Sequence, residues 1–229
     1  MSALLTVSNV TAWYGASQAL FGVDLEVGEG EVVALLGRNG MGKTTTLRTI
    51  CRMLAHTEGA IVFAGHDLAR LPSHKVARLG VGLVPEGRRC FANLTVRENL
   101  IAAARAGEWG LGEVGRLFPT LGERKNQMAS TLSGGEQQML AIGRALMTNP
   151  KLLILDEATE GLAPVVRQEI WAAVHALKDA GLSILLVDKT LRELLAVANR
   201  CVILEKGVTA WTGKPKRLTA KVSDRYLGV

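Results

Sequence analysis

The sequence reads Gly37-Arg38-Asn39-Gly40-Met41-Gly42-Lys43-Thr44-Thr45 directly after an apolar run, Val32 to Leu36, and before apolar residues at helical spacing, Leu47, Ile50 and Met53. Strand, glycine-rich loop and helix is the context that a phosphate-binding loop requires. The glycines let the backbone turn sharply and bring its N–H groups around a phosphate, and the helix that follows directs the positive end of its dipole to the same place. A glycine-rich turn without a ligand is the alternative, and the flanking pattern disfavours it.

Two motifs supply the polar groups that a nucleotide and its metal require. Lys43 offers an ammonium to the β- and γ-phosphates, and Thr44 offers a hydroxyl to Mg²⁺. Asp156 and Glu157 follow the apolar run 152–155, and α/β folds bind ligands at the carboxyl ends of buried strands. We expect Asp156 to hold the metal and Glu157 to orient or deprotonate the attacking water. A charged strand end in solvent is the alternative for this pair.

The composition limits the classes of protein to which the chain can belong. The chain has 229 residues, of which 48% are hydrophobic, enough for one large domain with a substantial core. No apolar run approaches the roughly 18 residues of a membrane-spanning helix, and residues 1–7 lack the pattern of a signal peptide. The three scattered cysteines match neither a disulfide framework nor a zinc site. The net charge of +6 is dispersed and aromatic residues are few, so we expect no nucleic-acid partner.

The order of predicted elements indicates the fold class. Residues 4–36 alternate as antiparallel strands that lead into the glycine-rich loop. Buried strands are predicted at the continuous apolar runs 80–85, 151–157 and 183–187. Because helical patterns separate these runs, we expect an α/β fold with a mostly parallel central sheet and an N-terminal antiparallel β part.

The segment between residues 88 and 150 has a different, mainly helical pattern. A capping box at Thr95 and Glu98 predicts a helix that runs to about Ala106, and a glycine-rich loop is predicted at 107–115. We therefore expect a single domain over residues 1–229, with a helical subdomain at about 88–150 inserted in the α/β core.

A second glycine motif makes a family resemblance specific. The stretch Leu132-Ser133-Gly134-Gly135-Glu136-Gln137-Gln138, shortly before Asp156-Glu157, is similar to the signature sequence of ABC-type ATPases. Along its whole length the chain resembles the ATP-binding subunits of branched-chain amino-acid importers, the LivF type. The residues that carry this resemblance are Leu35 to Gly40, Val84 to Arg89, Ser133 to Leu146, Glu160 to Pro164 and Tyr226 to Val229. The resemblance implies a P-loop NTPase fold and an ATPase that uses ATP and Mg²⁺ to power a membrane importer.

The resemblance assigns nucleotide contacts by position. Gly37 to Thr45 matches the Walker A loop, and Tyr14 matches the aromatic that stacks on adenine. On local evidence Tyr14 is equally a stacking residue or a core aromatic in a hairpin. Ser133 to Glu136 would contact the γ-phosphate of ATP bound to a facing subunit, which implies a head-to-tail dimer. An N-cap with flexible glycines is the alternative for this motif.

Three positions depart from the usual ABC pattern. Glu86 stands where glutamine is common, and its carboxylate can still serve the metal. Ala158 replaces the proline that often follows the catalytic glutamate, a change that we expect to be mild. Lys189 occupies the position of a histidine that contacts the γ-phosphate, and a lysine can donate to phosphate as a point charge. We therefore expect Lys189 to take part in catalysis.

Partners and location follow from the resemblance alone. It implies a homodimer, or a heterodimer with a second ABC ATPase subunit, bound peripherally to integral membrane permease subunits at the cytoplasmic face of the inner membrane. A solute-binding protein is an indirect partner. We expect the permease to contact the surface around Glu86, Arg88, Arg89 and residues 94–99. Alternatives are a hydrolysis-poor regulatory subunit, an ATPase of a urea or amide importer, and an ABC protein that acts on nucleic acid.

Overall fold

The computed structural model describes residues 3–228. Within them, ten strands form one sheet in the order β5-β4-β1-β2-β10-β9-β3-β8-β7-β6. The strands are β1 Ala3–Tyr14, β2 Ser17–Gly28, β3 Val32–Leu36, β4 His56–Phe63, β5 His66–Asp67, β6 Val81–Val84, β7 Leu152–Asp156, β8 Ser183–Val187, β9 Arg200–Glu205 and β10 Val208–Gly213. The sheet therefore has an antiparallel edge and a parallel centre, as the apolar patterns predicted.

Most helices follow a strand of the parallel part in the chain, α2 follows β5, and α9 follows the last strand. They are α1 Lys43–Ile50, α2 Ser73–Leu79, α3 Val96–Ile101, α4 Leu111–Leu117, α5 Pro119–Glu123, α6 Gly134–Leu146, α7 Pro164–Asp179, α8 Leu191–Val197 and α9 Ala220–Tyr226. Four of them, α3 to α6, lie between β6 and β7, where the sequence predicted an insertion. Among residues 3–228, none of the helices is long and apolar enough to cross a bilayer.

The central strands are buried on both faces. Every residue of β3, β7 and β8 is buried, and neighbouring residues of each strand join different hydrophobic clusters. Ala34, Leu153 and Ile184 pack on one side of the sheet, whereas Val33, Ile154 and Leu185 pack on the other. Helices cover both faces, so the carboxyl ends of the parallel strands form the edge that is open to a ligand.

The helix predicted from Thr95 to about Ala106 is shorter than expected. Its capping box is present, but α3 ends at Ile101. The side chain of Asn149 binds the following backbone: its amide nitrogen donates to the Arg105 oxygen at 2.8 Å, and its oxygen accepts from the Trp109 nitrogen at 2.7 Å. These long-range hydrogen bonds hold the segment in a non-helical path that local propensity does not predict.

The prediction of a glycine-rich loop at 107–115 is wrong for the second half of this segment, because α4 begins at Leu111. The carboxylate of Glu113 accepts from the Gly110 nitrogen at 3.0 Å and so caps the first turn. Gly115 of α4 faces Gly122 of α5, and a Cβ on Gly115 would lie 4.0 Å from the Gly122 Cα. The two glycines therefore allow α4 and α5 to pack closely. This contact offsets the low helix propensity of glycine.

Candidate nucleotide-binding and hydrolysis site

The glycines of the phosphate-binding loop are required by its backbone. Gly37 has a φ of +144°, and a Cβ there would lie 2.6 Å from the Leu204 oxygen. Gly42 has a φ of +100°, and a Cβ there would lie 2.7 Å from the Leu20 side chain. Gly42 is also the residue before α1, so the loop turns and the helix begins without a side chain in the way. The N-terminus of α1 faces the loop, as the sequence predicted.

Lys43 lies over the loop that precedes it. Its ammonium donates to the Gly37 oxygen at 2.7 Å and to the Arg38 oxygen at 3.1 Å. Burial lowers the pKa of Lys43, while the carboxylates of Glu157 and Asp156 act in the opposite direction. The cation is therefore held at the cleft by its own loop, where it suits phosphate oxygens.

Thr44 and Asp156 form an oxygen site at the carboxyl end of β7. The Thr44 hydroxyl donates to the Asp156 carboxylate at 3.2 Å. Burial raises the pKa of Asp156, and the hydrogen bond from Thr44 opposes that shift. A buried carboxylate beside a hydroxyl fits Mg²⁺, which prefers oxygen ligands. Glu86 lines the same cleft, and its carboxylate lies 3.4 Å from the Arg48 guanidinium.

Glu157 has an unusual backbone conformation. Its φ is +50°, in the left-handed region, and its nitrogen donates to the Val187 oxygen at 2.7 Å. Non-glycine residues in this region are often found at functional sites. A hydrogen bond with Glu160, burial and the charge of Glu160 raise the pKa of Glu157 to about 7. A carboxyl group with that pKa can accept a proton near neutral pH, which suits a general base.

The cleft around these groups has a volume of about 590 Å³. The phosphate-binding loop, Glu86, Glu157 and Lys189 all line it, so residues far apart in sequence meet here. Phe21 and Lys206 are among the lining residues that sequence reasoning missed. Phe21 is an exposed aromatic in an alternating strand, and that pattern could have identified it.

Tyr14 lies at the end of β1, next to the turn into β2, and its side chain is exposed. The core-aromatic alternative is therefore wrong. Among described residues, the aromatic side chain that lines the cleft is Phe21 and not Tyr14. Stacking of Tyr14 on adenine stays a prediction. Its neighbour Trp13 contacts His56 edge to face, with ring centroids 5.5 Å apart.

Ser133 caps α6 as the sequence predicted. Its hydroxyl accepts from the Glu136 nitrogen at 3.3 Å, and the Glu136 carboxylate accepts from the Ser133 nitrogen at 2.7 Å. Glu136 also pairs with Arg124 at 3.0 Å. The structure thus gives Glu136 a capping role, and a contact with nucleotide stays a prediction for all of Ser133 to Glu136.

Two neighbours crowd the signature glycines. A Cβ on Gly134 would lie 2.0 Å from the Arg88 guanidinium, and a Cβ on Gly135 would lie 2.5 Å from the Val166 side chain. Arg88 has a φ of +50° and donates to the Gly161 oxygen at 3.2 Å. Packing against Val166 therefore requires glycine at 135, whereas the flexible Arg88 guanidinium can move away from a side chain at 134.

We expect Gly135→Ala to lower stability, because its methyl group overlaps Val166 on α7. Overpacking of this kind typically costs about 1–3 kcal/mol. In a Val166→Ala background, Gly135→Ala should cost much less stability, because the side chain that its methyl group overlaps has been removed. Urea unfolding of the three variants measures it. Equal losses from Gly135→Ala in both backgrounds would contradict the packing argument.

Lys189 joins two carboxylates at the rim of the cleft. Its ammonium lies 3.5 Å from the Glu157 carboxylate and makes a shorter contact with Glu160. Lys189 is thus placed at the cleft, where the position of the usual histidine predicts it. The sequence did not single out Glu160, because its importance depends on contact with a residue from another strand end.

Comparisons with known proteins agree with this geometry. The family model described as ABC transporter matches residues 20–160. The high-affinity branched-chain amino acid transport ATP-binding protein BraG of Pseudomonas aeruginosa is 44% identical over 232 residues, which cover 98% of this chain and 100% of BraG. The lipopolysaccharide export system ATP-binding protein LptB of Escherichia coli K12 is 34% identical, over 99% of this chain and 98% of LptB.

A solved ATP-binding cassette of an ABC transporter, in its ADP conformation, is 26% identical and superposes with a TM-score of 0.85 over 100% of both chains. A bacterial Atm1-family ABC exporter with ATP bound is 27% identical, with a TM-score of 0.81 over 93% of this chain and 39% of the exporter chain. The loop, the capped signature helix and the two carboxylates at the carboxyl end of β7 therefore occur in a fold that these proteins share. The chain belongs to the ABC transporter family and is one of its ATP-binding, ATP-hydrolysing subunits.

Proposed function

We propose that this chain hydrolyses ATP to power a membrane importer of branched-chain or related amino acids. The observation that carries the proposal is the 44% identity to BraG over 98% of this chain and 100% of BraG, against 34% to LptB. The site supports the ATPase part of the proposal, because a phosphate loop, an oxygen site and a carboxyl group of raised pKa line one edge of the sheet.

Each group in the cleft has a role in this proposal. The loop amides and Lys43 hold the phosphates, and Thr44 and Asp156 hold Mg²⁺, with Glu86 beside them. Mg²⁺, when bound, neutralises charge on the phosphate oxygens. Glu157 orients a water molecule and accepts its proton. Lys189 places a positive charge near the terminal phosphate.

The signature motif supports a dimeric arrangement. Among the described residues that line the phosphate-loop cleft, none belongs to Ser133 to Glu136. These residues therefore serve the nucleotide of a facing subunit, either a second copy of this chain or a second ABC ATPase. The pair would bind permease subunits at the cytoplasmic face of the membrane, and through them depend on a solute-binding protein.

A second cleft is the proposed contact for the permease. It has a volume of about 650 Å³ and lies between α2, the end of α3 and α6. Three arginines line it, Arg78, Arg105 and Arg144. His74 and several apolar side chains complete the lining. We therefore propose that a permease segment with acidic side chains binds here. The surface at 88–99, where the sequence predicts the permease contact, borders this cleft. Arg144 lines the cleft and donates to the Arg89 oxygen, and its guanidinium carbon lies 4.8 Å from the centre of the Phe91 ring.

Arg105→Glu should weaken assembly with the permease at least about tenfold, because it places a negative charge opposite the proposed acidic segment. ATP hydrolysis by the isolated subunit should stay within about twofold of wild type, since Arg105 lies away from the cleft of the phosphate loop. Co-purification from membranes measures assembly. Arg217→Glu is the matched control, an exposed arginine in the turn after β10 that lines neither the arginine cleft nor the cleft of the phosphate loop. Equal effects of the two substitutions would contradict the location.

Solute uptake tests the function itself. In cells that lack this chain, labelled leucine, isoleucine and valine should enter only when the wild-type chain is restored, and Glu157→Gln should not restore uptake. Restored uptake of urea or amides in place of these amino acids would favour that alternative. Lack of ATP turnover by the purified wild-type subunit, alone and with its permease, would favour the regulatory alternative.

A further inference from the structure

Two loops leave the parallel sheet side by side and are tied together by Asp188. One follows β7 and contains Glu157 to Leu162, and the other follows β8 and contains residues 188–190. One oxygen of Asp188 accepts from the Thr159 hydroxyl at 2.7 Å and the Thr159 nitrogen at 3.2 Å. The other accepts from the Thr190 hydroxyl at 2.8 Å and the Thr190 nitrogen at 3.0 Å. A single carboxylate therefore fixes the relative position of the two loops.

These loops bring three charged side chains together at the rim of the cleft. The Lys189 ammonium contacts the Glu160 carboxylate and lies 3.5 Å from that of Glu157. The Glu157 side chain is only 14% exposed, whereas Glu160 and Lys189 are 48% and 51% exposed. The lysine thus stands between a sheltered carboxylate and an exposed one, and its shorter contact is to the exposed one.

A lysine in this place has two opposite consequences for hydrolysis. It supplies positive charge near the terminal phosphate, but it can also close onto Glu157 and occupy the carboxylate oxygen that a water molecule needs. The Lys189 stem is flexible, and its ammonium already lies 3.5 Å from the Glu157 carboxylate, so a small rotation would complete that contact. The shorter contact of the ammonium with Glu160 opposes that rotation.

We propose that Glu160 is a positioning residue for ATP hydrolysis, which holds the Lys189 ammonium so that Glu157 stays free to act on water. The proposal rests on the proposed role of Glu157. A purely structural role for Glu160 is weaker, because exposed ion pairs add little to folding stability and Asp188 already joins the two loops.

A double-mutant cycle tests this positioning role. Glu160→Ala should lower kcat about tenfold, part of the roughly 10²–10⁴ that a positioned base supplies, and should change KM for MgATP less than about twofold. The cycle is measured well above pH 7, where the Glu157 carboxyl is ionised with or without Glu160. In a Lys189→Ala background the same substitution should then leave kcat unchanged within about twofold, because no ammonium remains to close onto Glu157. Glu160→Asp should retain part of the wild-type kcat, since it keeps the charge with a shorter reach.

Glu169→Ala, an exposed glutamate on α7, is the matched control and should keep the wild-type kcat. Equal losses from Glu160→Ala with and without Lys189, or an unchanged kcat in Glu160→Ala, would overturn the positioning role. Glu157→Gln separates this failure from failure of the proposed function. If Glu157→Gln stalls hydrolysis while Glu160→Ala does not, only the positioning role is wrong; if Glu157→Gln hydrolyses ATP normally, the role of Glu157 is wrong.

Discussion

Lys43→Ala should weaken ATP binding by at least about 100-fold and remove measurable turnover, because hydrogen bonds from a charged donor contribute roughly 1.5–3 kcal/mol each and this ammonium serves two phosphates. The structure places the Lys43 ammonium over its own loop, at 2.7 Å from the Gly37 oxygen. Its loss therefore removes the principal cation of that loop without removing a core side chain. Titration with a fluorescent ATP analogue measures affinity, and phosphate release measures turnover.

Lys75→Ala is the matched control for this experiment. Lys75 is an exposed lysine on α2, outside the cleft of the phosphate loop. It should bind and hydrolyse ATP as wild type does. Affinity and turnover of Lys43→Ala equal to those of Lys75→Ala would show that residues 37–45 are a glycine-rich turn without a nucleotide role.

Glu157→Gln should bind ATP with nearly wild-type affinity and hydrolyse it about 10²–10⁴ times more slowly. The amide has the shape of the carboxylate and can still accept a hydrogen bond from Lys189, but it cannot take a proton from water. ATP should then persist between two subunits, so the variant should form ATP-dependent dimers. Light scattering with and without Mg-ATP measures their mass, and single-turnover phosphate release measures the chemical step.

Glu29→Gln is the control for Glu157→Gln. Glu29 is exposed in the turn between β2 and β3, so its substitution should change neither rate nor mass. A wild-type hydrolysis rate in Glu157→Gln would move the general base to another residue. Slow hydrolysis without ATP-dependent dimers would instead contradict the arrangement in which Ser133 to Glu136 serve a facing subunit.

The fold was largely predictable because its strongest signals are local. Continuous apolar runs at β3, β7 and β8 indicate strands covered on both faces, and all three are confirmed. Capping boxes at Thr95 and Ser133 mark the starts of α3 and α6, since the groups that cap a helix lie within four residues of each other. Helix ends were harder: α3 stops at Ile101 because Asn149, distant in sequence, holds the backbone that follows.

The sequence by itself determined the phosphate loop and the carboxylates at the end of β7, because each is a short pattern whose spacing reflects the chemistry of a nucleotide, and its signature motif carried the resemblance to the family. Only the tertiary structure placed Phe21 on the cleft, Arg88 over Gly134, and Glu160 against Lys189. These contacts join residues from different strand ends and loops. Their formation depends on the order β3-β8-β7-β6 and on the packing of α7 against α6, which no local pattern specifies.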